Sequence, residues 1–147
     1  MVRYKNRYLV VELLWKDGKF DYSLGETPIS QALKDSVSLN FGDYGQGLMS
    51  QSLQVRYFNP FTNVAIVRCT EACKNQAAVA VTLLDEVKSR RCSTVLRYTS
   101  GRIQKAKEMA LCLSRKRYLS GVIKKPNTER YLEEFEDYHQ RLLALNP

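Results

Sequence analysis

The chain has one histidine, His139, set among Asp137, Tyr138 and Gln140 in an acid-rich stretch. Ser-His-Asp chemistry needs a positioned imidazole between a nucleophile and an acid, so a surface or docking role is expected of His139. The acids are no better placed for catalysis. Glu12, Asp35, Asp43, Glu71, Asp85 and Glu86 are scattered over different predicted elements, whereas metal-assisted hydrolysis needs carboxylates that converge. The four cysteines, Cys69, Cys73, Cys92 and Cys112, have neither disulfide-scaffold nor zinc spacing, and read as structural thiols of a reducing compartment. Gly42, Gly45 and Gly47 lack the preceding strand and following lysine of a phosphate loop. No apolar run approaches the roughly 18 residues of a membrane span, and the N-terminal residues lack the apolar core of a secretory signal. No catalytic residue, metal site, cofactor or membrane contact is therefore assigned to the chain.

Positive charge is plentiful. The 147 residues carry a net +8, unevenly spread. From Asn127 onward two basic residues, Arg130 and Arg141, stand against five acids, Glu129, Glu133, Glu134, Glu136 and Asp137, so the preceding residues carry +11. The cations cluster: Arg3/Lys5/Arg7, Arg90/Arg91, Arg102/Lys105/Lys107, Arg115/Lys116/Arg117 and Lys124/Lys125. A basic body of this kind implies a polyanionic partner. Hydrophobic content of 44% and a mean hydropathy of −0.37 are ordinary for a globular chain, and the length suits one domain.

Periodicity predicts an α+β fold. Residues 7–14 are almost continuously apolar, as in a covered strand. Thr27 as N-cap and Pro28 as first helical residue open a helix with Ile29, Leu33 and Val37 inward, ending near Phe41-Gly42 and followed by a loop over 42–47. A second strand alternates Leu53, Val55 and Tyr57 against Gln54, Arg56 and Phe58. An Asn59-Pro60 turn leads to a third strand over 64–69. A second helix is expected over 73–89, with Cys73, Ala77, Ala80, Leu84 and Val87 inward. A fourth strand covers 93–99, with Arg97 opposite Leu96 and Tyr98. The order β-α-β-β-α-β is the split βαβ arrangement of ferredoxin-like and RRM-like domains, an antiparallel sheet in strand order 4-1-3-2 with both helices on one face. Additional C-terminal helices follow Gly101 and Pro126. The division expected is an RRM-like domain over 1–117, then a linker and amphipathic helix over 118–147.

Basic and aromatic residues interleave in Met1-Val2-Arg3-Tyr4-Lys5-Asn6-Arg7-Tyr8-Leu9, a pattern suited to phosphates and unpaired bases. With it go Val55-Arg56-Tyr57, Asn59, Thr62, Arg68-Cys69, Gly101 and Ile103. Together these segments resemble the small RRM-like protein subunits of ribonuclease P and ribonuclease MRP, the fifth of the Pop subunits, over residues 1 to about 117. The family tends to have Gly-Thr-Ile-Arg where this chain has Gly101-Arg102-Ile103-Gln104. The resemblance implies a noncatalytic subunit in the nucleus and nucleolus. Its partners would be the catalytic RNA, a TIM-barrel-like protein subunit and other holoenzyme subunits. Mg²⁺ would be held by the RNA during 5′-end maturation of precursor tRNA, with a further role in rRNA processing.

Candidate RNA-binding residues are Arg3, Lys5, Arg7, Arg56, Arg68, Arg97, Arg102, Lys105 and Lys107. Arg56, Arg68 and Arg97 lie on three strands and could share a face; each could equally pair with an acid or snorkel at the sheet rim. The third strand holds none of the aromatics an ordinary RRM displays. The open sheet face is therefore expected to be covered by the last helices or by a protein partner. Tyr131, Phe135, Tyr138, Leu142 and Leu145 keep a 4-3-4-3 spacing that suits helical docking in cis or in trans. Two other readings stand beside the family one: a free-standing basic RRM-like RNA-binding or assembly factor, and a small ferredoxin-like enzyme.

Overall fold

A computed structural model describes residues 5–122 and 128–147. The elements are β1 (Asn6–Trp15), α1 (Glu26–Met49), β2 (Gln54–Asn59), β3 (Val64–Thr70), a 3-10 turn (Glu71–Cys73), α2 (Lys74–Thr82), β4 (Glu86–Val87), β5 (Arg90–Ser100), α3 (Ile103–Val122) and α4 (Thr128–Leu143). The strands form an antiparallel sheet in the order β2-β3-β1-β5-β4. Apart from the short β4 this is the ferredoxin-like order that the sequence predicts.

Both faces of the sheet are covered. Leu9, Val11 and Leu13 of β1 pack with Ala65 and Val67 of β3 under α1 and α2, against Ile29, Leu33, Val37, Ala77 and Ala80. Tyr8 and Val10 point the other way, joining Tyr57, Val64 and Ile66 under Ile103, Ala106 and Ala110 of α3 and Leu142 of α4. Strand alternation splits one apolar run between two cores, which is why β1 reads as continuously hydrophobic.

Several expectations are corrected. α1 starts one residue before Thr27, with Gly25 as cap. The first helical stretch does break near Phe41-Gly42, where Gly42 leaves helical geometry with φ 66°, but a second stretch follows directly and runs to Met49, so residues 42–47 are not a loop. α2 ends at Thr82 rather than Ser89. Leu84 and Val87 are buried as expected, but from the loop and β4. Lys88 and Ser89 take positive φ of 49° and 62° between two paired strands, the backbone of a two-residue hairpin turn. Alternation fails in two strands because each carries a bulge. In β2, Val55 faces Val67 and Tyr57 faces Ile66, leaving Arg56 as the extra residue. In β5, Leu96 faces Val11 and Tyr98 faces Val10, leaving Arg97 extra. Val55 and Leu96 consequently pack toward α1 and α2, while Tyr57 and Tyr98 pack toward α3. α3 also runs past 117 to Val122.

Candidate nucleic-acid interface

The start of β1, the ends of β3 and β5 and the first turn of α3 meet at one end of the sheet, because Tyr8 pairs with both Arg68 and Ser100. Arg7 donates from Nη2 to Oε1 of Glu71 at 2.8 Å and from Nη1 to the Asn6 carbonyl at 3.0 Å. Lys5 is exposed, and its carbonyl accepts the Glu71 N–H at 2.8 Å. Arg68 donates to Oε1 of Gln54 at 2.7 Å. Arg102 and Lys105 are exposed at the opening of α3, where Ser100 Oγ accepts the Arg102 N–H at 3.0 Å. Five of the candidate cations thus gather around one rim. Partly exposed pairs such as Arg7–Glu71 contribute at most about 1 kcal/mol, so the guanidinium exchanges readily onto a phosphate. Arg3 lies outside the described residues.

Three other candidates are tied into the protein itself. Lys107 is 7% exposed and donates Nζ to the Leu143 carbonyl at 3.1 Å, fastening the end of α4 to α3. Arg97 donates Nε to Oε2 of Glu12 at 2.8 Å, and Arg117 of α3 binds the other oxygen of the same carboxylate. Arg56 donates Nη2 to the Asn146 carbonyl at 3.0 Å. Arg56 and Arg97 thus reach toward the α3/α4 side but hold the chain together there. The Glu12 bridge went unseen in the sequence, although a lone acid inside an apolar strand was its visible sign.

The α4 stripe docks in cis. Leu142 is 1% exposed in the second core. Tyr138 meets the rings of Tyr57 and Phe61 edge-on at 6.4 and 5.7 Å, and Phe135 packs on Tyr118 at 4.8 Å. Leu145 packs against the same cluster. Tyr131's side chain lies outside the described residues. Glu129, Glu133 and Glu136 remain exposed.

The titratable groups point to structure more than to reactivity. Burial pushes the thiols of Cys69 and Cys92 up to about 11 and raises the Tyr57 hydroxyl well above its usual range. The Lys19 N–H and then Arg90 hold Asp17 below the ordinary carboxylate value. Among the described residues no group of three or more His, Cys, Asp or Glu is placed to hold a metal ion.

Fold and site define a ferredoxin-like α+β protein with both sheet faces covered and with Lys5, Arg7, Arg68, Arg102 and Lys105 at one end of the sheet. The chain belongs to the Rpp14/Pop5 family, which its residues 7–111 match. It is 34% identical over 120 residues to the ribonuclease P/MRP protein subunit POP5 of Schizosaccharomyces pombe, covering 76% of this chain and 86% of that protein. It is 35% identical over 128 residues to the probable ribonuclease P/MRP protein subunit POP5 of Arabidopsis thaliana, covering 80% and 82%. A chain in the cryo-EM structure of yeast ribonuclease MRP shares the fold, with a TM-score of 0.54 at 13% identity, over 70% of this chain and 79% of that one.

Proposed function

We propose that the chain is a noncatalytic, RNA-binding protein subunit of ribonuclease P and of ribonuclease MRP, supporting the catalytic RNA in 5′-end maturation of precursor tRNA and in rRNA processing. The observation that carries this is the 34% identity running through 86% of the fission-yeast subunit. The rim formed by Lys5, Arg7, Arg68, Arg102 and Lys105 supplies cations for the phosphate backbone. Such contacts reduce repulsion between packed RNA strands and release counterions. Mg²⁺ belongs to the RNA in this reading. The noncatalytic role is supported by the state of the acids: Glu12 is held by two arginines, Asp17 by Arg90 and Glu71 by Arg7. A TIM-barrel-like subunit and other holoenzyme proteins are the proposed protein partners, and nucleus and nucleolus the proposed location. A free-standing RRM-like factor fits less well, because α3 and α4 cover the sheet face on which an RRM stacks its bases.

Affinity purification from cells followed by RNA sequencing tests the reading. One large structured RNA with several proteins is expected. Ribosomal particles, or no RNA, would overturn it, as would cleavage of precursor tRNA by the purified protein free of RNA and lost on a point mutation within it.

A further inference from the structure

The far end of the sheet carries an exposed aromatic surface that the reading above does not use. Trp15 lies eight residues along β1 from Arg7, roughly 25 Å at about 3.3 Å per residue. The turn after it is held in shape. Asp17 accepts the Lys19 N–H at 3.0 Å and Nη2 of Arg90 at 2.9 Å, and Arg90 also donates to the Lys19 carbonyl at 2.8 Å. The Arg90 guanidinium lies 4.2 Å over the Trp15 ring. This braced turn presents Phe20 and Tyr22, 39% and 42% exposed. Their rings are within 7° of parallel with centroids 6.1 Å apart, and Tyr22 stacks on Phe61 at 4.8 Å. Beside Phe20 a recess of about 130 Å³ is bordered by Trp15, Gly18, Asn63 and Arg117. Lys16, Lys19 and Arg91 are exposed nearby, while Asp17 is bound to Arg90 and Asp21 to Ser23.

We propose that this surface stacks an unpaired nucleobase of RNA on the Phe20–Tyr22 platform, with Lys16 and Lys19 meeting the flanking phosphates. Parallel exposed rings suit any base, because every base has a π-face, and the surrounding cations favour a polyanion over a neutral or basic protein segment. The inference rests on the reading of the chain as an RNA-binding subunit and adds a second contact at the opposite end of β1.

Trp15 is the only tryptophan, so its fluorescence reports on this end alone. Titration of the full chain with short single-stranded oligoadenylate is expected to change Trp15 emission saturably. Phe20→Leu with Tyr22→Leu, which keeps apolar bulk and removes both rings, weakens that binding about tenfold or more; Phe20→Tyr retains it. A ringless variant that melts normally and binds like wild type overturns the proposal. Should it melt early, ultraviolet crosslinking of the wild-type ribonucleoprotein decides: an RNA adduct within residues 16–22 supports the contact, and its absence, or a crosslink from there to protein, overturns it. Arg7→Ala separates the two ends. A silent Trp15 beside salt-dependent binding that Arg7→Ala weakens sinks this inference alone, whereas no RNA binding at either end sinks the parent reading too.

Discussion

Gly101 and Arg7 form one packing unit: a Cβ at Gly101 would stand 2.9 Å from Nη1 of Arg7 and 3.4 Å from its Cζ. The bare backbone where β5 turns into α3 lets the guanidinium lie against it while still reaching Glu71. Two residues almost a hundred positions apart in the chain thus set the aim of one cation.

Gly101→Ala therefore moves Arg7 without breaking the fold. The displaced atoms are the far end of a flexible side chain, so stability should change by less than about 1 kcal/mol. RNA affinity should fall and the salt dependence flatten by about one unit if Arg7 holds a phosphate. RNA titrations over a salt series read this directly, and an unchanged slope with a displaced Arg7 would remove Arg7 from the interface.

Lys105 and Lys107, two residues apart on α3, should separate cleanly. Lys105→Ala should reduce the salt slope and leave melting alone. Lys107→Ala should cost on the order of 1 kcal/mol, by losing its bond to the Leu143 carbonyl, with little change in slope. Thermal melts beside RNA titrations test the pair, and equal slopes for both variants would count against the division.

Glu12 should show coupling between its two arginines. Either Arg97→Ala or Arg117→Ala leaves the buried carboxylate one partner. The double substitution leaves it none, a condition that typically costs about 3 kcal/mol or more for a buried charge, moderated here because both arginines are partly exposed. Urea unfolding of the singles and the double should therefore show a loss greater than additive. Additive losses would mean that Glu12 is solvated rather than bridged.

The second core should fail from the C-terminal side. Leu142→Ala should cost about 2–5 kcal/mol as a truncation at a closed site, and Phe135→Ala less, since Phe135 is only half-buried against Tyr118. Wild-type melting of the double variant would show that α4 does not stabilise the sheet.

Cys69 and Cys92 should resist alkylation at mildly alkaline pH, whereas exposed Cys112 reacts first. Their folded thiols ionise near 11, against an ordinary value of 9.0. The unfolded chain loses those protons first, so their contribution to stability is present below about pH 9 and declines between 9 and 11. Peptide mapping after iodoacetamide treatment, with melts across that range, checks both statements. Rapid labelling of Cys92 in the folded protein would contradict them.

Much of the fold was legible in the sequence. The apolar run of β1, the helical stripe from Ile29 to Val37 and the order of the elements were enough for the sheet topology. The pairing of Arg97 with an acid was one of the two readings open in the sequence, whereas the bulges at Arg56 and Arg97 were not legible, because residue alternation carries no mark of where a strand gains an extra residue. The β4–β5 hairpin reads as helix in the sequence because its turn depends on positive φ at Lys88 and Ser89, which neither residue type signals strongly. At the site, Arg7, Lys5 and Arg102 were visible as charge, but their shared rim follows from strand register. Lys107 looked like its exposed neighbours, since only the arrival of α4 distinguishes it from Lys105.

The order in which the second core is completed has a consequence for biosynthesis. Tyr8, Val10, Tyr57, Val64 and Ile66 emerge from the ribosome well before residues 103–145, which cover them. A nascent chain that has already paired its first three strands presents this apolar surface to solvent until residues 103–145 have been made and folded over it. A truncated product ending near residue 102 would keep it permanently exposed, a recognised hazard for aggregation. Late nonsense mutations should thus yield a sticky, chaperone-dependent polypeptide even though every strand of the sheet has been made.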